Sequence, residues 1–133
     1  MANIKIVAGP VVVKDNQVLL NKSGEDNFWK FCGGRVETTD LNLFQVAERE
    51  AKEEIGVDLE LINPEPFLLY VSKETEAGKM DIILVHYLVN IKGEINPGSD
   101  IREWAWINMV DLKQENLAPN ILPALRHFGF ITD

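Results

Sequence analysis

Three glutamates between residues 49 and 54 have the spacing of neighbours on one helix face. In a helix, Glu50, Glu53 and Glu54 stand at i, i+3 and i+4, where neighbouring Cβ atoms lie about 5–6 Å apart. Like charges at this spacing repel each other and destabilise the helix. A hard divalent cation would offset that repulsion, and Mg²⁺ binds a few carboxylates together with water and substrate phosphate. The spacing indicates either a magnesium site or a solvated acidic helix face.

The neighbouring residues fit the metal site. Arg49 precedes Glu53 by four residues, so its guanidinium can hold that carboxylate through a charge-assisted hydrogen bond. Gly33 and Gly34 lie earlier in the chain, and their lack of side chains would let the backbone approach a metal or a phosphate closely.

The acidic composition restricts the classes of partner. The 133 residues include 21 Asp and Glu against 13 Lys and Arg, a formal net charge of −8. This balance argues against binding to nucleic-acid polymers, which requires a basic face, and against attraction to anionic membranes. Residues 35–60 carry eight acidic and three basic side chains. A cation bound there would allow a small anionic substrate to bind.

The sequence also indicates the compartment. Cys32 is the single cysteine, so an intrachain disulfide is impossible and a reducing compartment is expected. The N-terminal residues lack the pattern of a signal peptide. No segment has the ~20 apolar residues of a transmembrane helix. We expect a cytoplasmic protein.

The element that carries the glutamates is a predicted helix over residues 41–55, which contain neither Gly nor Pro. Gly56 follows at the position of a typical helix C-cap. One side of this helix is apolar at every fourth position: Leu43, Ala47, Ala51 and Ile55.

Strands are predicted on both sides of this helix. Residues 4–13 and 18–20 indicate a hairpin around a turn at residues 15–16. Further strands are predicted at residues 57–62, 67–72, 81–91 and 104–107, and helices at residues 111–116 and 119–128. The strand at 81–91 is apolar on both faces, which favours a central position. The pattern predicts a mixed sheet between helices.

The range 34–57 resembles the signature of the Nudix hydrolases, which is Gly, five residues, Glu, seven residues, then Arg-Glu-apolar-x-Glu-Glu-x-Gly-apolar. Residues 49–57 match every defined position of its second half. The residues 29–37 before it, the early hairpin and the late strand containing Trp106 also resemble the family. The resemblance therefore covers nearly the whole chain.

This resemblance implies an α/β fold, specifically a Nudix-type α/β/α sandwich with a central mixed β-sheet. It implies a single domain over residues 1–133, with the Nudix box at approximately 34–57. Two departures affect the loop before the helix. Asp40 stands where the signature has Glu, and eight residues instead of seven separate it from Arg49.

The resemblance implies metal-dependent hydrolysis of a nucleoside diphosphate linked to another moiety, with Mg²⁺ or alternatively Mn²⁺ as cofactor. A nucleoside or deoxynucleoside triphosphate that yields the monophosphate and pyrophosphate is favoured, because no additional recognition domain is seen. The alternatives are a nucleotide sugar, a dinucleoside polyphosphate, or a non-catalytic nucleotide-sensing role. The expected partner is a small nucleotide or diphosphate; a homodimer stays open.

The resemblance also implies site residues. The expected metal ligands are the Gly33 carbonyl, Glu50, Glu53 and Glu54. The expected catalytic residues are Glu50, Glu53, Arg49 and an acid of the later loop, Asp100 or Glu103. The expected substrate-binding residues are Gly34, Arg35, Glu37, Phe28, Trp29 and Tyr87.

Aromatic and histidine side chains outside the box have two interpretations. Flat rings can stack on nucleobases, or they can pack in the core. Trp104 and Trp106 are two residues apart and share one face of a strand, so we expect both to lie in the core. His86, in the central strand, is either a hydrogen-bonded structural residue or a substrate contact.

Overall fold

The computed structural model describes residues 3–132. Within that range the helices are α1 (Leu43–Ile55) and α2 (Ile121–His127), with a 3₁₀ helix at Met109–Gln114. The strands are β1 (Asn3–Lys14), β2 (Gln17–Ser23), β3 (Gly34–Arg35), β4 (Asp58–Leu61), β5 (Phe67–Thr75), β6 (Gly78–Lys92) and β7 (Ile101–Asn108).

The sheet is mixed, and its centre is the parallel pair β1 and β6. These two strands pair from Asn3 opposite Met80 to Val12 opposite Val89. β4 and β5 both run antiparallel to β6, so the sheet order is β4-β6-β1-β2-β7, with β3 beside β1. The central position predicted for the strand at 81–91 is confirmed.

β1 and β2 form a hairpin that opens almost immediately. Its turn residues Asp15 and Asn16 have φ values of 52° and 63°, a left-handed conformation that Asp and Asn tolerate better than most residues. Only Val13 with Val18 and the neighbouring pair are in register. β2 then pairs with β7, so the two strands diverge and leave space between them.

The helices cover opposite faces of the sheet. Ala51 and Ile55 of α1 pack against Val12 of β1, while Leu125 of α2 packs in the cluster that contains Val11. Consecutive strand residues point to opposite faces, so adjacent valines of one strand serve two cores. Burying each such apolar side chain contributes about 1.5–3 kcal/mol. The predicted α/β/α arrangement with a central mixed sheet is confirmed.

α1 begins two residues later than predicted because Asn42 caps it. The Asn42 side chain accepts a hydrogen bond from the Gln45 N–H, and Gln45 Oε1 accepts one from the Leu41 N–H. The helix ends as predicted at Gly56, whose φ is 71°. The Gly56 N–H donates to the carbonyls of Ala51 and Lys52. Both ends are therefore closed by local hydrogen bonds.

Several predicted boundaries differ from the structure, and the helix predicted at residues 111–116 is the 3₁₀ helix Met109–Gln114. β5 extends to Thr75, β7 begins at Ile101, and α2 is shorter than the predicted range 119–128. No helix within residues 3–132 has the length and apolar character needed to cross a membrane.

The expectation that Trp104 lies in the core is wrong. Trp106 is half-buried and packs against the α1-side cluster, but Trp104 is 38% exposed. Trp104 faces a cavity instead of packed side chains, and it therefore stays exposed.

Candidate active site and metal centre

A cleft of about 830 Å³ opens beside the C-terminal half of α1. α1 contributes Glu50, Glu53 and Glu54; the other walls are Gly33 and the loops at residues 23–26 and 98–102. We call this the acidic cleft. The structure thus brings the three glutamates of the box to one concave surface.

Glu54 and Glu50 form the buried end of the acidic cleft. Glu54 Oε2 accepts a hydrogen bond of 3.0 Å from the Gly33 N–H, and Glu50 is close enough to influence the Glu54 carboxyl group electrostatically. Burial raises the pKa of Glu54 to about 7; the Gly33 N–H opposes this rise and the charge of Glu50 adds to it. A shared proton or a bound cation favours two neighbouring carboxyl groups of this kind.

Gly34 allows Glu50 to take this position. A Cβ atom on Gly34 would overlap the carboxylate of Glu50, so any other residue there would displace the carboxylate. Gly34 was predicted to bind substrate; the structure shows contact with a glutamate of the box.

Arg49 contacts more carboxylates than the sequence indicated. Its guanidinium donates to both oxygens of Asp40, at 3.1 and 3.0 Å, and to Glu50 Oε1 at 3.0 Å. Its ion pair with Glu53 is longer, at 3.6 Å. The hydrogen bond with Asp40 is the main reason why the pKa of Arg49 lies above its ordinary value. Arg49 is therefore fixed chiefly by Asp40.

The contacts of Asp40 explain how the chain accommodates an Asp where the family signature has Glu. Its carboxylate accepts from the Glu37 N–H at 2.7 Å as well as from Arg49. The Arg49 hydrogen bond holds the pKa of Asp40 below its usual value. The extra residue in the loop leaves this shorter acid within reach of the guanidinium, so the carboxylate face is undisturbed.

The two acids predicted in the later loop lie in different surroundings. Asp100 lines the acidic cleft, and its carbonyl accepts from the Gly24 N–H. Glu103 does not line the cleft and forms ion pairs of 3.8 Å with Lys22 and Arg102. Asp100 is the better placed candidate.

The aromatic residues predicted to bind substrate do not line the acidic cleft. Trp29 is buried and donates from Nε1 to Glu115 at 3.0 Å, with the Lys22 ammonium 4.5 Å from its ring. Tyr87 packs edge-on against Phe44 at 5.3 Å. Phe28 is half-buried. Trp29 and Tyr87 thus make structural contacts.

Arg35 and Glu37 lie beside Arg49 rather than in the cleft. Both side chains are exposed. The Arg35 carbonyl accepts from Arg49 at 3.0 Å, and the Glu37 carboxylate lies 3.6 Å from the same guanidinium.

Sequence reasoning missed the wall formed by residues 23–26 and the role of Arg102. Arg102 is the one basic residue among those lining the cleft, and it donates to the carbonyls of Gly24 and Asp26. In the sequence, the single indication of this wall was Gly24 after a predicted strand. The contact with Arg102 joins residues far apart in the chain, so a local pattern does not predict it.

The donor set fits a hard divalent cation. Among residues 3–132, no three acidic, histidine or cysteine side chains already converge tightly enough to hold an ion. Glu50 and Glu54 nevertheless line the same cleft as Glu53, whose side chain is 59% exposed. Carboxylate oxygens and a nearby backbone carbonyl are the ligands that Mg²⁺ prefers.

Comparison with protein families matches the NUDIX domain to residues 4–128. The chain belongs to the NUDIX family. Members of this family are hydrolases that act on small nucleotide substrates and generally use divalent metal ions. A comparison with curated proteins found no match.

Solved structures share the fold of this NUDIX chain. The solution structure of the E. coli ORF135 protein has a TM-score of 0.75 and 23% identity, over 96% of this chain and 89% of that one. The MutT NUDIX hydrolase from Burkholderia pseudomallei has a TM-score of 0.75 and 24% identity, over 93% of this chain and 97% of that one. An Ap4A hydrolase from C. elegans has a TM-score of 0.71 and 19% identity, over 93% of this chain and 94% of that one.

Proposed function

We propose that this NUDIX chain is a metal-dependent pyrophosphohydrolase that cleaves a nucleoside triphosphate to the monophosphate and pyrophosphate. The observation that carries the proposal is the convergence of Glu50, Glu53 and Glu54 on the acidic cleft. Their like charges repel each other, and a bound cation would offset that repulsion. Such a cleft suits a substrate that arrives with Mg²⁺ or Mn²⁺.

Each residue of the cleft has a proposed task. Glu50, Glu53 and Glu54, with the Gly33 carbonyl, would hold a divalent cation, which neutralises phosphate charge and polarises the phosphoryl group. Arg49 positions Glu50 and Glu53 through the contacts described above. The proton of the attacking water passes to a carboxylate of the cleft, either Glu53 or Asp100.

The choice of substrate rests on the cleft and on the named relatives. A volume of about 830 Å³ is within the range of small-ligand sites, and Arg102 offers a cation for a terminal phosphate. A dinucleoside polyphosphate is the second candidate, because the Ap4A hydrolase from C. elegans has the same fold. We propose a single domain, a cytoplasmic location and no binding to nucleic-acid polymers or membranes.

A panel of nucleotides assayed with Mg²⁺ for phosphate and pyrophosphate release tests the function. The panel contains ribo- and deoxynucleoside triphosphates, a nucleotide sugar and a dinucleoside polyphosphate. We expect pyrophosphate release from at least one triphosphate. Turnover of the dinucleotide alone would favour the second candidate, and turnover of none would indicate a nucleotide-sensing role.

Glu53→Gln tests the metal face. We expect hydrolysis to fall by about 10²-fold or more, with a free energy of unfolding equal to the parent's or higher, because one repulsive charge is removed. Glu48→Gln is the matched control, since Glu48 is an exposed glutamate of the same helix outside the cleft. Equal rates for Glu53→Gln and the parent would refute the assignment. Asp100→Asn then shows which carboxylate accepts the proton.

Metal binding has a readout independent of turnover. A cation that binds only the folded state stabilises it by about 2.7 kcal/mol at 100 times its dissociation constant. Mg²⁺ should therefore raise the Tm of the parent, and EDTA should reverse the increase. Glu50→Gln should abolish most of the increase, whereas Glu48→Gln should retain it. An unchanged Tm in the parent at millimolar Mg²⁺ would contradict the proposed site.

A further inference from the structure

A second cavity, of about 560 Å³, lies on the α1 side of the sheet. It shares no lining residue with the acidic cleft, and its volume is within the range of small-ligand sites. We call it the tryptophan pocket. Its principal walls are Trp104 and Trp106 of β7, Lys14 at the end of β1, Asn90 and Ile91 of β6, and the loop at residues 93–95.

The tryptophan pocket lies where β1 and β2 separate and where α1 no longer continues. β1 and β2 diverge directly after their hairpin, so the strands on either side of the opening are not paired. α1 fills part of the gap but ends at Ile55. The following loop bonds to the helix end, with the Asn96 N–H donating to the Ile55 carbonyl and the Gly98 N–H to the Glu54 carbonyl, both at 2.8 Å. This loop separates the pocket from the acidic cleft.

Two indole rings with unused donors line the pocket. Trp104 and Trp106 point to the same face of β7, and Trp104 is 38% exposed. Within residues 3–132 neither indole N–H donates a hydrogen bond, whereas Trp29 donates to Glu115. Flat rings with free donors, one of them exposed, suit a planar ligand that carries hydrogen-bond acceptors.

A cation stands at one side of the pocket. In the described part of the chain, Lys14 forms no ion pair, and the Asn90 amide makes no side-chain hydrogen bond. Glu94, on the opposing loop, is the only acidic residue among those lining the pocket. An exposed lysine that lines the same cavity as two indole rings suits a flat ligand with an anionic end.

We propose that the tryptophan pocket binds a mononucleotide, with the base stacked on Trp104 and the phosphate held by Lys14. Base stacking on one aromatic side chain contributes about 1–3 kcal/mol. The site requires no metal and is independent of the hydrolysis proposed for the acidic cleft.

Titration of the full chain with AMP in EDTA tests this site, with tryptophan emission as the readout. EDTA removes divalent cations, so the acidic cleft repels the anion. We expect saturable quenching by AMP, weaker binding of adenosine, and none of ribose 5-phosphate. Trp104→Ala should weaken AMP binding about tenfold or more, and Trp104→Phe should retain most of it, because a ring is still present.

Lys14→Gln separates the phosphate contact from the stacking contact. It should weaken AMP binding severalfold and leave adenosine binding unchanged, while Lys73→Gln, an exposed lysine of β5 outside the pocket, should match the parent. Circular dichroism verifies that each variant is folded. Absence of saturable quenching, or parent affinity in Trp104→Ala, would overturn the proposal. Tighter AMP binding in Glu53→Gln would do so as well, since removal of a repulsive charge strengthens binding only if AMP occupies the acidic cleft.

Discussion

Gly34 and Asp40 show how single residues determine the geometry of the acidic cleft. Gly34 provides space that the Glu50 carboxylate occupies. Asp40 accepts two hydrogen bonds from Arg49, and Arg49 in turn reaches Glu50. Glu50 is thus limited by the backbone on one side and held by a fixed guanidinium on the other. Displacing it would disturb the cleft without disturbing the core.

Gly34→Ala tests this dependence. The new methyl group should displace the Glu50 carboxylate, and a displacement of about 1 Å can cost about 10²-fold in rate. We expect a fall in kcat/KM of that order and a weaker Mg²⁺-dependent rise in Tm, with an unchanged circular dichroism spectrum. A variant with the parent's rate and the parent's response to Mg²⁺ would show that the position of Glu50 is unimportant.

At the scale of elements, α1 is stabilised by its capped ends and its buried apolar side, and it is destabilised by the glutamates on its other side. Asn42 and Gln45 satisfy N-terminal N–H groups, Gly56 closes the C-terminus, and the apolar face is buried. These contributions offset the repulsion among the glutamates. The helix can therefore present an acidic surface that its own electrostatics disfavour.

Removal of the N-terminal cap measures one of these contributions. Asn42→Ala leaves the Gln45 N–H without its side-chain partner and should lower the free energy of unfolding by about 1 kcal/mol. Chemical denaturation measures the change, and Asn42→Asp is the control that keeps an acceptor at this position. Equal destabilisation by both variants would show that the cap hydrogen bond is not the cause.

At the scale of the molecule, the two cores meet in the sheet, and His86 is buried there in a polar contact. The Asn120 amide nitrogen lies 2.7 Å from His86 Nε2, so the neutral ring accepts this hydrogen bond at Nε2. Phe31 packs against the ring at 5.0 Å. Of the two interpretations of His86, the structure shows the hydrogen-bonded one.

The stability of the protein should depend on pH through His86. Burial lowers the pKa of His86 to about 4, so the unfolded chain binds a proton more readily than the folded one. The contribution of His86 is complete above about pH 6.5 and is lost as the pH falls toward 4, with an upper limit of about 3 kcal/mol.

Denaturation of the parent and of His86→Gln from pH 7.5 to pH 4.5 measures this term. Carboxylates titrate in both proteins, so the difference between their slopes isolates the histidine. We expect the parent to lose more stability than the variant between pH 6.5 and pH 4.5. Parallel slopes would show that the ring is protonated as easily in the folded state as in the unfolded state.

Sequence periodicity and local motifs were sufficient to predict several elements of this fold and the acidic face of α1. The period of α1, its stop at Gly56, the glutamate face and the central strand depend on residues that are close in the chain, and the structure confirms them. The start at Leu43 differs from the prediction because residues 41–55 contain no Gly or Pro, whereas the side chain of Asn42 caps the helix and ends it there.

Only the tertiary structure determined which distant residues meet. The bidentate contact of Asp40 with Arg49, the overlap that excludes a side chain at Gly34, and the wall formed by residues 23–26 and Arg102 all depend on loops brought together by the sheet. The exposure of Trp104 likewise depends on the cavity that the fold leaves beside it. Local pattern fixes which face of an element a residue occupies, but burial and contact depend on what packs against that face.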